Sequence, residues 1–223
     1  MSQMNSGVVL YKKSGDAGII TINRPDANNA LNEEIVKRLT LIFKKYAHQG
    51  VKMFVLESTG PHFMVGGDVQ VFKLLKLSGA ARQAQMKPIM NEVHEMMHAM
   101  IKCPIPIIAK VNGSVAGFGI GLMLACDIIV MSTNSKVDLA YLNLALTPDG
   151  LTSKLLTQTI GLKRALSFAL LGQRLNAQDA YNLGFASELV DAKDLNQVVD
   201  GMIQKMSLWS HRSMVLTKRL LRS

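Results

Sequence analysis

The stretch Ile105-Pro-Ile-Ile-Ala-Lys-Val-Asn-Gly113-Ser-Val-Ala-Gly117-Phe-Gly119-Ile-Gly121-Leu-Met-Leu-Ala-Cys-Asp127 carries an apolar strand through glycines at 113, 117, 119 and 121 and on into a helix. Such a run brings bare backbone to the head of a helix, where unpaired N–H groups and the positive dipole end favour an anion. Two chemistries use a turn of this kind: a phosphate cradle and an oxyanion hole. Working outward, residues 18–22, 53–58, 105–111 and 128–132 are short runs rich in Val, Ile and Phe, bounded by Gly, Pro, Asn or Ser, and read as buried strands. Between them lie helical patterns. Residues 33–48 place Ile35, Leu39, Ile42, Phe43 and Tyr46 at helical spacing behind Asn32, a residue suited to cap the start. Met90, Val93, Met97, Met100 and Ile101 form a second apolar stripe that stops at Cys103-Pro104. Strands alternating with helices imply an α/β layer architecture.

Past residue 150 the pattern becomes helical: 151–171, 176–184, 195–206 and 213–221 carry amphipathic spacing with little strand signal. At 223 residues the chain can bury a full core and most simply forms one domain. No internal repeat, low-complexity tract or flexible linker interrupts it.

Composition is ordinary for a soluble protein, with 48% hydrophobic and 18% charged residues. The formal net charge of +9 suits a polyanionic ligand such as a phosphorylated cofactor, or a solvated basic surface. No run of Lys and Arg interleaved with aromatics points to nucleic acid. Cys103 and Cys126 lie in apolar surroundings without metal or redox spacing, so a reducing compartment is expected. The N-terminus lacks a basic region followed by an apolar core, and no apolar run is long enough to span a bilayer. A cytoplasmic protein with no membrane partner is the expectation.

Two other motifs compete for the chemistry. His94-Glu95-Met96-Met97-His98 matches the helical zinc pattern H-E-x-x-H. A third ligand is missing at workable distance, since the next His is His211 and the next Glu is Glu188, and no metal is expected. A P-loop would need Gly-Lys-Ser/Thr, and Gly117-Phe-Gly119-Ile-Gly121 is not the G-x-G-x-x-G of a dinucleotide fold. The 14 methionines read as adaptable core packing or as the lining of a flexible acyl pocket.

Six motifs then occur in order: Asn23-Arg-Pro-Asp-Ala-Asn-Asn-Ala-Leu31, Phe63-Met-Val-Gly-Gly-Asp68, Val111-Asn-Gly-Ser-Val-Ala-Gly117, Cys126-Asp127-Ile128, Leu146-Thr-Pro-Asp-Gly150 and Arg174-Leu-Asn-Ala-Gln-Asp-Ala-Tyr-Asn-Leu-Gly184. Together they resemble the enoyl-CoA hydratase/isomerase (crotonase) family, over nearly the whole chain. The resemblance implies an α/β core of repeated ββα units over residues 1–185. It implies a helical C-terminal segment over 186–223 that is short beside its relatives, and assembly as a homotrimer or dimer of trimers. It implies an acyl-CoA thioester substrate, with coenzyme A entering as part of that substrate and no separate cofactor. The shared chemistry is stabilisation of a thioester enolate by two backbone N–H groups. By motif position those donors are Gly67 and Phe118. Ala27, Asn28, Val65, Asp68 and Val69 match further acyl-CoA-binding positions, and Asp68 is also placed to cap a helix starting near Val69.

The pattern departs from the family where its best-known reaction resides. The two glutamates of family hydratases fall at Gly121 and Tyr141, and water addition needs two carboxylates. Asp149 is the remaining candidate. Ring-epoxide isomerases and aryl-CoA dehalogenases of the family carry a functional Asp at the matching place. His94 matches a histidine of several relatives and is expected to give polar support near the acyl pocket or to be buried within the fold. Tyr141 is placed to donate to substrate or to Asp149. Leu151 and Gln158 replace a glycine and an arginine frequent in the family. The reading is an isomerase using Asp149, with a hydratase-like lyase of non-standard acid/base residues, or a non-catalytic CoA-ester binder, as alternatives.

Overall fold

The computed structural model describes residues 4, 6–68 and 79–223. The chain opens with a hairpin, β1 (Val9–Ser14) against β2 (Ala17–Ile22), turned at Gly15 with φ of 58°. Helix α1 (Glu33–Lys45) follows, its first turn capped by Asn32, whose side chain accepts from the Ile35 amide at 2.9 Å. Three strand pairs come next: β3 (Met53–Ser58) with β4 (His62–Val65), β5 (Ile107–Val111) with β6 (Ser114–Ala116), and β7 (Ile128–Ser132) with β8 (Lys136–Asp138). Helix α2 (Gly79–Ile101) lies between the first two pairs and α3 (Phe118–Leu124) between the last two.

The longer member of each pair joins one sheet and the shorter member joins another. The large sheet is ordered β1-β2-β3-β5-β7-β10, where β10 is Glu188–Val190, and all its pairings are parallel except the first hairpin. The small sheet is ordered β4-β6-β8-β9, where β9 is Arg174–Asn176 and runs antiparallel to β8. This is the repeated ββα arrangement implied by the resemblance. Helices α4 (Thr152–Ile160), α5 (Leu162–Leu170), α6 (Ala177–Leu183), α7 (Leu195–Ser207) and α8 (His211–Leu221) complete the chain.

Both faces of the large sheet are buried, which explains why its strands read as nearly continuous apolar runs. On one face α1 contributes Ile35, Leu39, Ile42 and Phe43, and α2 contributes Val93, Met96, Met97 and Met100. Tyr11 stacks on Tyr46 with ring centroids 4.6 Å apart, and Phe43 meets Phe54 edge-on at 5.8 Å. On the other face Leu195 and Val199 of α7 cover Val55, Ile108 and Val130. Burial pushes the Cys103 thiol up to about 11 and the Cys126 thiol higher still, so both are inert packing residues.

The structure departs from the sequence expectations in three places. The strand expected from 105 starts at Ile107, because Pro104 and Pro106 have no N–H to give a ladder. The helical run 151–171 is two helices broken at Gly161, whose φ is 78°. The segment 186–223, expected to be helical, also supplies β10 to the large sheet. Strands of three or four residues such as β6, β8, β9 and β10 are too short to show a period.

Helix α8 is fastened to the end of α3 by charge. Lys218 Nζ and Arg222 Nε sit 2.6 and 2.7 Å from the two carboxylate oxygens of Asp127. Arg222 also donates to the carbonyls of Ala125 and Cys126 at 2.9 and 3.2 Å, satisfying acceptors that the end of α3 leaves open. Lys218 and Asp127 are largely buried, so removing the anion strands two cations. We expect Asp127→Ala to lose about 3 kcal/mol, seen in calorimetry as a fall in Tm of roughly 6–12 °C.

Candidate functional site

The two glycine loops meet at the ends of β4 and β6. Gly66 and Gly117 have φ of 68° and 50°, and a Cβ on Gly117 would stand 3.4 Å from Gly66 Cα. The backbone around them is almost fully engaged. Val65 N donates to Asn28 O at 3.2 Å, Leu31 N to Gly66 O at 2.9 Å, Gly66 N to Ala116 O at 2.9 Å, Asp68 N to Leu31 O at 2.9 Å and Gly117 N to Asp138 O at 3.0 Å. The amides of Gly67 and Phe118 donate to no acceptor among the described residues. Helix α3 lies so close to its neighbours that its glycines have no room for a side chain: a Cβ on Gly119 would be 2.4 Å from Met64 O.

Both free amides border a cavity of about 1430 Å³. Val36, Met86, Ile89, Met90, Val93, Leu144 and Leu146 give it an apolar wall, while Arg24, Glu33, Glu34, Lys37 and Glu92 add charge. The loop before α4 brings Tyr141 and Asp149 to the same wall. Tyr141 Oη donates to Asp149 Oδ1 at 2.6 Å. Burial raises the Asp149 carboxyl above the usual carboxylate range, opposed by that hydrogen bond and by the nearby His94. Burial, followed by the Asp149 charge, drives the Tyr141 phenol well above its ordinary value, so it stays a donor.

The expected site residues are only partly gathered. Gly67, Phe118, Val65, Asp68, Tyr141 and Asp149 line the cavity. Ala27 and Asn28 do not line it: they close the turn Pro25–Ala27, where Asn28 at φ of 51° offers its carbonyl to Val65. Val69 lies outside the described residues. Asp68, expected as a helix cap, forms an ion pair with Arg24 at 2.6 Å. His94 corrects the expectation of a buried histidine, because it is exposed on α2 and does not line the cavity. Its link to the site is the electrostatic one with Asp149. In the zinc-like motif Glu95 pairs with Lys44 of α1, and the described residues hold no group of three metal-ligating side chains.

Two contributors escaped the sequence reading. Asn29, fully buried at φ of 56°, donates to the carbonyls of Thr59 and His62 at 2.8 and 2.7 Å and accepts from Arg24 N at 2.8 Å. It knits the first motif to the β3–β4 turn; a side-chain amide after another Asn in a turn was the available signal. Thr152 is the other. A Cβ on Gly121 would stand 2.3 Å from Thr152 Oγ1, so the place of a hydratase glutamate is filled by a threonine hydroxyl.

The paired sheets and their helical cover define a crotonase-type α/β protein. Residues 13–222 match the model of the enoyl-CoA hydratase/isomerase family, and the chain belongs to that family. A trans-2-decenoyl acyl-carrier-protein isomerase of Streptococcus mutans is 27% identical over 216 residues, covering 95% of this chain and 80% of that protein. An enoyl-CoA hydratase/isomerase of Marinobacter aquaeolei superposes with a TM-score of 0.88 at 26% identity, covering 96% of this chain and 82% of that one. A Thermobifida fusca protein solved in complex with acetoacetyl-CoA gives the same TM-score of 0.88 at 26% identity, over 96% and 86% of the two chains.

Gly121→Glu forces its Cβ onto Thr152, and we expect a loss of about 2 kcal/mol from overpacking, with Thr152→Ala in the same chain recovering much of it. Urea unfolding of the single and double variants measures both.

Proposed function

We propose that the protein is an acyl-CoA isomerase in which Asp149 carries a proton between two carbons of the acyl chain. The observation that carries this reading is the half-buried Asp149 carboxylate on the cavity wall, held by Tyr141, in the same cavity as two amides without acceptors among the described residues. The isomerase activity of the Streptococcus mutans relative and the acetoacetyl-CoA complex of the Thermobifida fusca protein support it.

In this mechanism the Asp149 carboxylate takes a proton from the acyl carbon next to the thioester or next to the double bond. The electron pair moves onto the thioester oxygen, where the Gly67 and Phe118 N–H groups receive the charge. The protonated Asp149 returns the same proton to a different carbon, so atoms and charge balance without water. Its raised pKa makes it a stronger base than an exposed aspartate and lets it hold the proton long enough to return it. The apolar wall suits a hydrocarbon acyl group, and Arg24 and Lys37 suit the phosphates of coenzyme A. The reading includes assembly as a homotrimer or dimer of trimers, which light scattering of the purified protein checks.

Asp149→Asn is expected to abolish interconversion of 2-enoyl- and 3-enoyl-CoA, at least about a thousandfold, while calorimetry still finds CoA-ester binding. The sign of the pKa shift sets a second outcome. A carboxyl whose pKa is raised by folding contributes stability that is fully present below its unfolded pKa and is lost as pH rises through the folded value, so the charged form is a burden at pH 7. Asp149→Asn is therefore expected to match or exceed the parent Tm at pH 7. Rapid hydration of crotonyl-CoA by the parent protein would overturn the isomerase reading in favour of a hydratase-like lyase, and binding without turnover of any ester would overturn catalysis itself.

A further inference from the structure

The loop 65–68, which carries the Gly67 amide, is laced to the first motif along its length. Val65 N donates to Asn28 O, Leu31 N to Gly66 O and Asp68 N to Leu31 O, so Leu31 and Gly67 form a parallel bridge. In such a bridge the peptide groups flanking the central residue bond to the partner segment, and the central residue's own N–H turns the other way. The Gly67 N–H therefore points away from Leu31 and has no acceptor among the described residues, and Gly67 lines the cavity. Both ends of the bridge converge on one side chain. Arg24 Nη2 sits 2.6 Å from Asp68 Oδ2, and Arg24 Nη1 donates to Ala30 O at 2.8 Å. A rigid fork thus spans from the residue before Leu31 to the residue after Gly67. Arg24 is itself fixed at its backbone, which donates to Asn29 Oδ1 at 2.8 Å and accepts from Asn29 N at 2.9 Å. Asp68 is buried, and a buried ion pair is often replaceable by apolar residues of like volume at little cost to stability, so stability alone does not call for one here.

We propose that Arg24 is a positioning residue for the oxyanion site: through Asp68 and the Ala30 carbonyl it holds the Leu31–Gly67 bridge in register and so fixes the direction of the Gly67 amide. The inference rests on the reading that the Gly67 and Phe118 amides receive the charge of a thioester enolate. It goes beyond an attraction for phosphate, because two of the guanidinium nitrogens are turned onto the chain itself. A preorganised donor acts only where it already points at the developing charge. A misplacement of about 1 Å, caused by a change away from the chemistry, can cost about a hundredfold in rate.

The test uses acetoacetyl-CoA bound to the full-length protein, with the ratio of its enolate to its keto form read by ultraviolet absorbance at one pH, alongside steady-state kinetics of enoyl-CoA isomerisation. Arg24→Met combined with Asp68→Leu replaces the ion pair by apolar residues and is expected to fold with a Tm near the parent value. Both charges leave together, so the local net charge is unchanged and a lost enolate reports geometry. The bound enolate ratio and kcat are each expected to fall about ten- to a hundredfold. Asp68→Leu alone leaves the Arg24 cation available to phosphate and is expected to lower kcat while KM stays the same or falls. Arg24→Lys, which keeps the cation without the fork, gives the same loss of enolate should the double variant not fold. A parent-like enolate ratio in the double variant or in Arg24→Lys overturns the positioning role, as does a change confined to KM in Asp68→Leu, which is the mark of a phosphate contact. The absorbance needs no turnover, so failure of the isomerase reading shows only in the ester assays. A parent protein that binds the ligand without favouring its enolate overturns the amide site and the role of Arg24 together.

Discussion

The close approach of helix α3 to its surroundings is the constraint on which the site depends. Its N-cap glycine and the two glycines within it each face a different wall: Gly117 faces Gly66, Gly119 faces the Met64 carbonyl and Gly121 faces Thr152. A side chain at any of them would push α3 off the small sheet or off α4, and the Phe118 amide would move with it. The neighbouring loop shows the same economy of space. A Cβ on Gly150 would stand 2.3 Å from the Phe118 ring, so the residue beside Asp149 is fitted to the residue that carries a free amide. Carboxylate and amide are thus held in one packed unit, which fixes their relative geometry as the proposed reaction requires.

The two sheets supply the second half of this arrangement. Each ββα unit puts its long strand in the large sheet and its short strand in the small one, so the loops after β4 and β6 emerge side by side. The amides of Val65, Asp68, Gly66 and Gly117 are consumed in turn by the carbonyls of Asn28, Leu31, Ala116 and Asp138, while those of Gly67 and Phe118 lack an acceptor among the described residues. Unpaired amides at a buried edge are unfavourable in the free protein. In the proposed reaction they become favourable when the thioester oxyanion forms, so the ligand's charge would complete a ladder that the fold leaves open.

Much of this is legible in the chain. The strands at 53–58 and 128–132 match the observed β3 and β7, because a strand buried on both faces must be apolar throughout. The Asn32 cap and the stop before Pro104 follow from local chemistry that tertiary contacts do not override. Gly67, Phe118, Tyr141 and Asp149 could be named from ordered motifs, and all four reach one cavity. The remainder was hidden for physical reasons. His94 sits on the same helix as the buried Met96, Met97 and Met100, and a rotation of one position decides whether it faces core or solvent. Thr152 has no local signature, since its meaning comes from Gly121, which lies far from it in sequence and against it in space.

The fate of Gly121 decides what the site can do. A glutamate there would need the volume that Thr152 occupies, and a glutamate in place of Tyr141 would set a second anion against Asp149 in a half-buried pocket, where like charges suppress each other's ionisation. With glycine and tyrosine instead, neither position holds a carboxylate, and Asp149 stands beside a phenol whose acidity is pushed far out of range, so no second base is present at those positions. Water addition asks for two proton-handling groups acting on two atoms. Moving a double bond asks for one group that reaches two carbons, and the Tyr141–Asp149 pair beside the Phe118 amide meets that requirement with the residues the chain has.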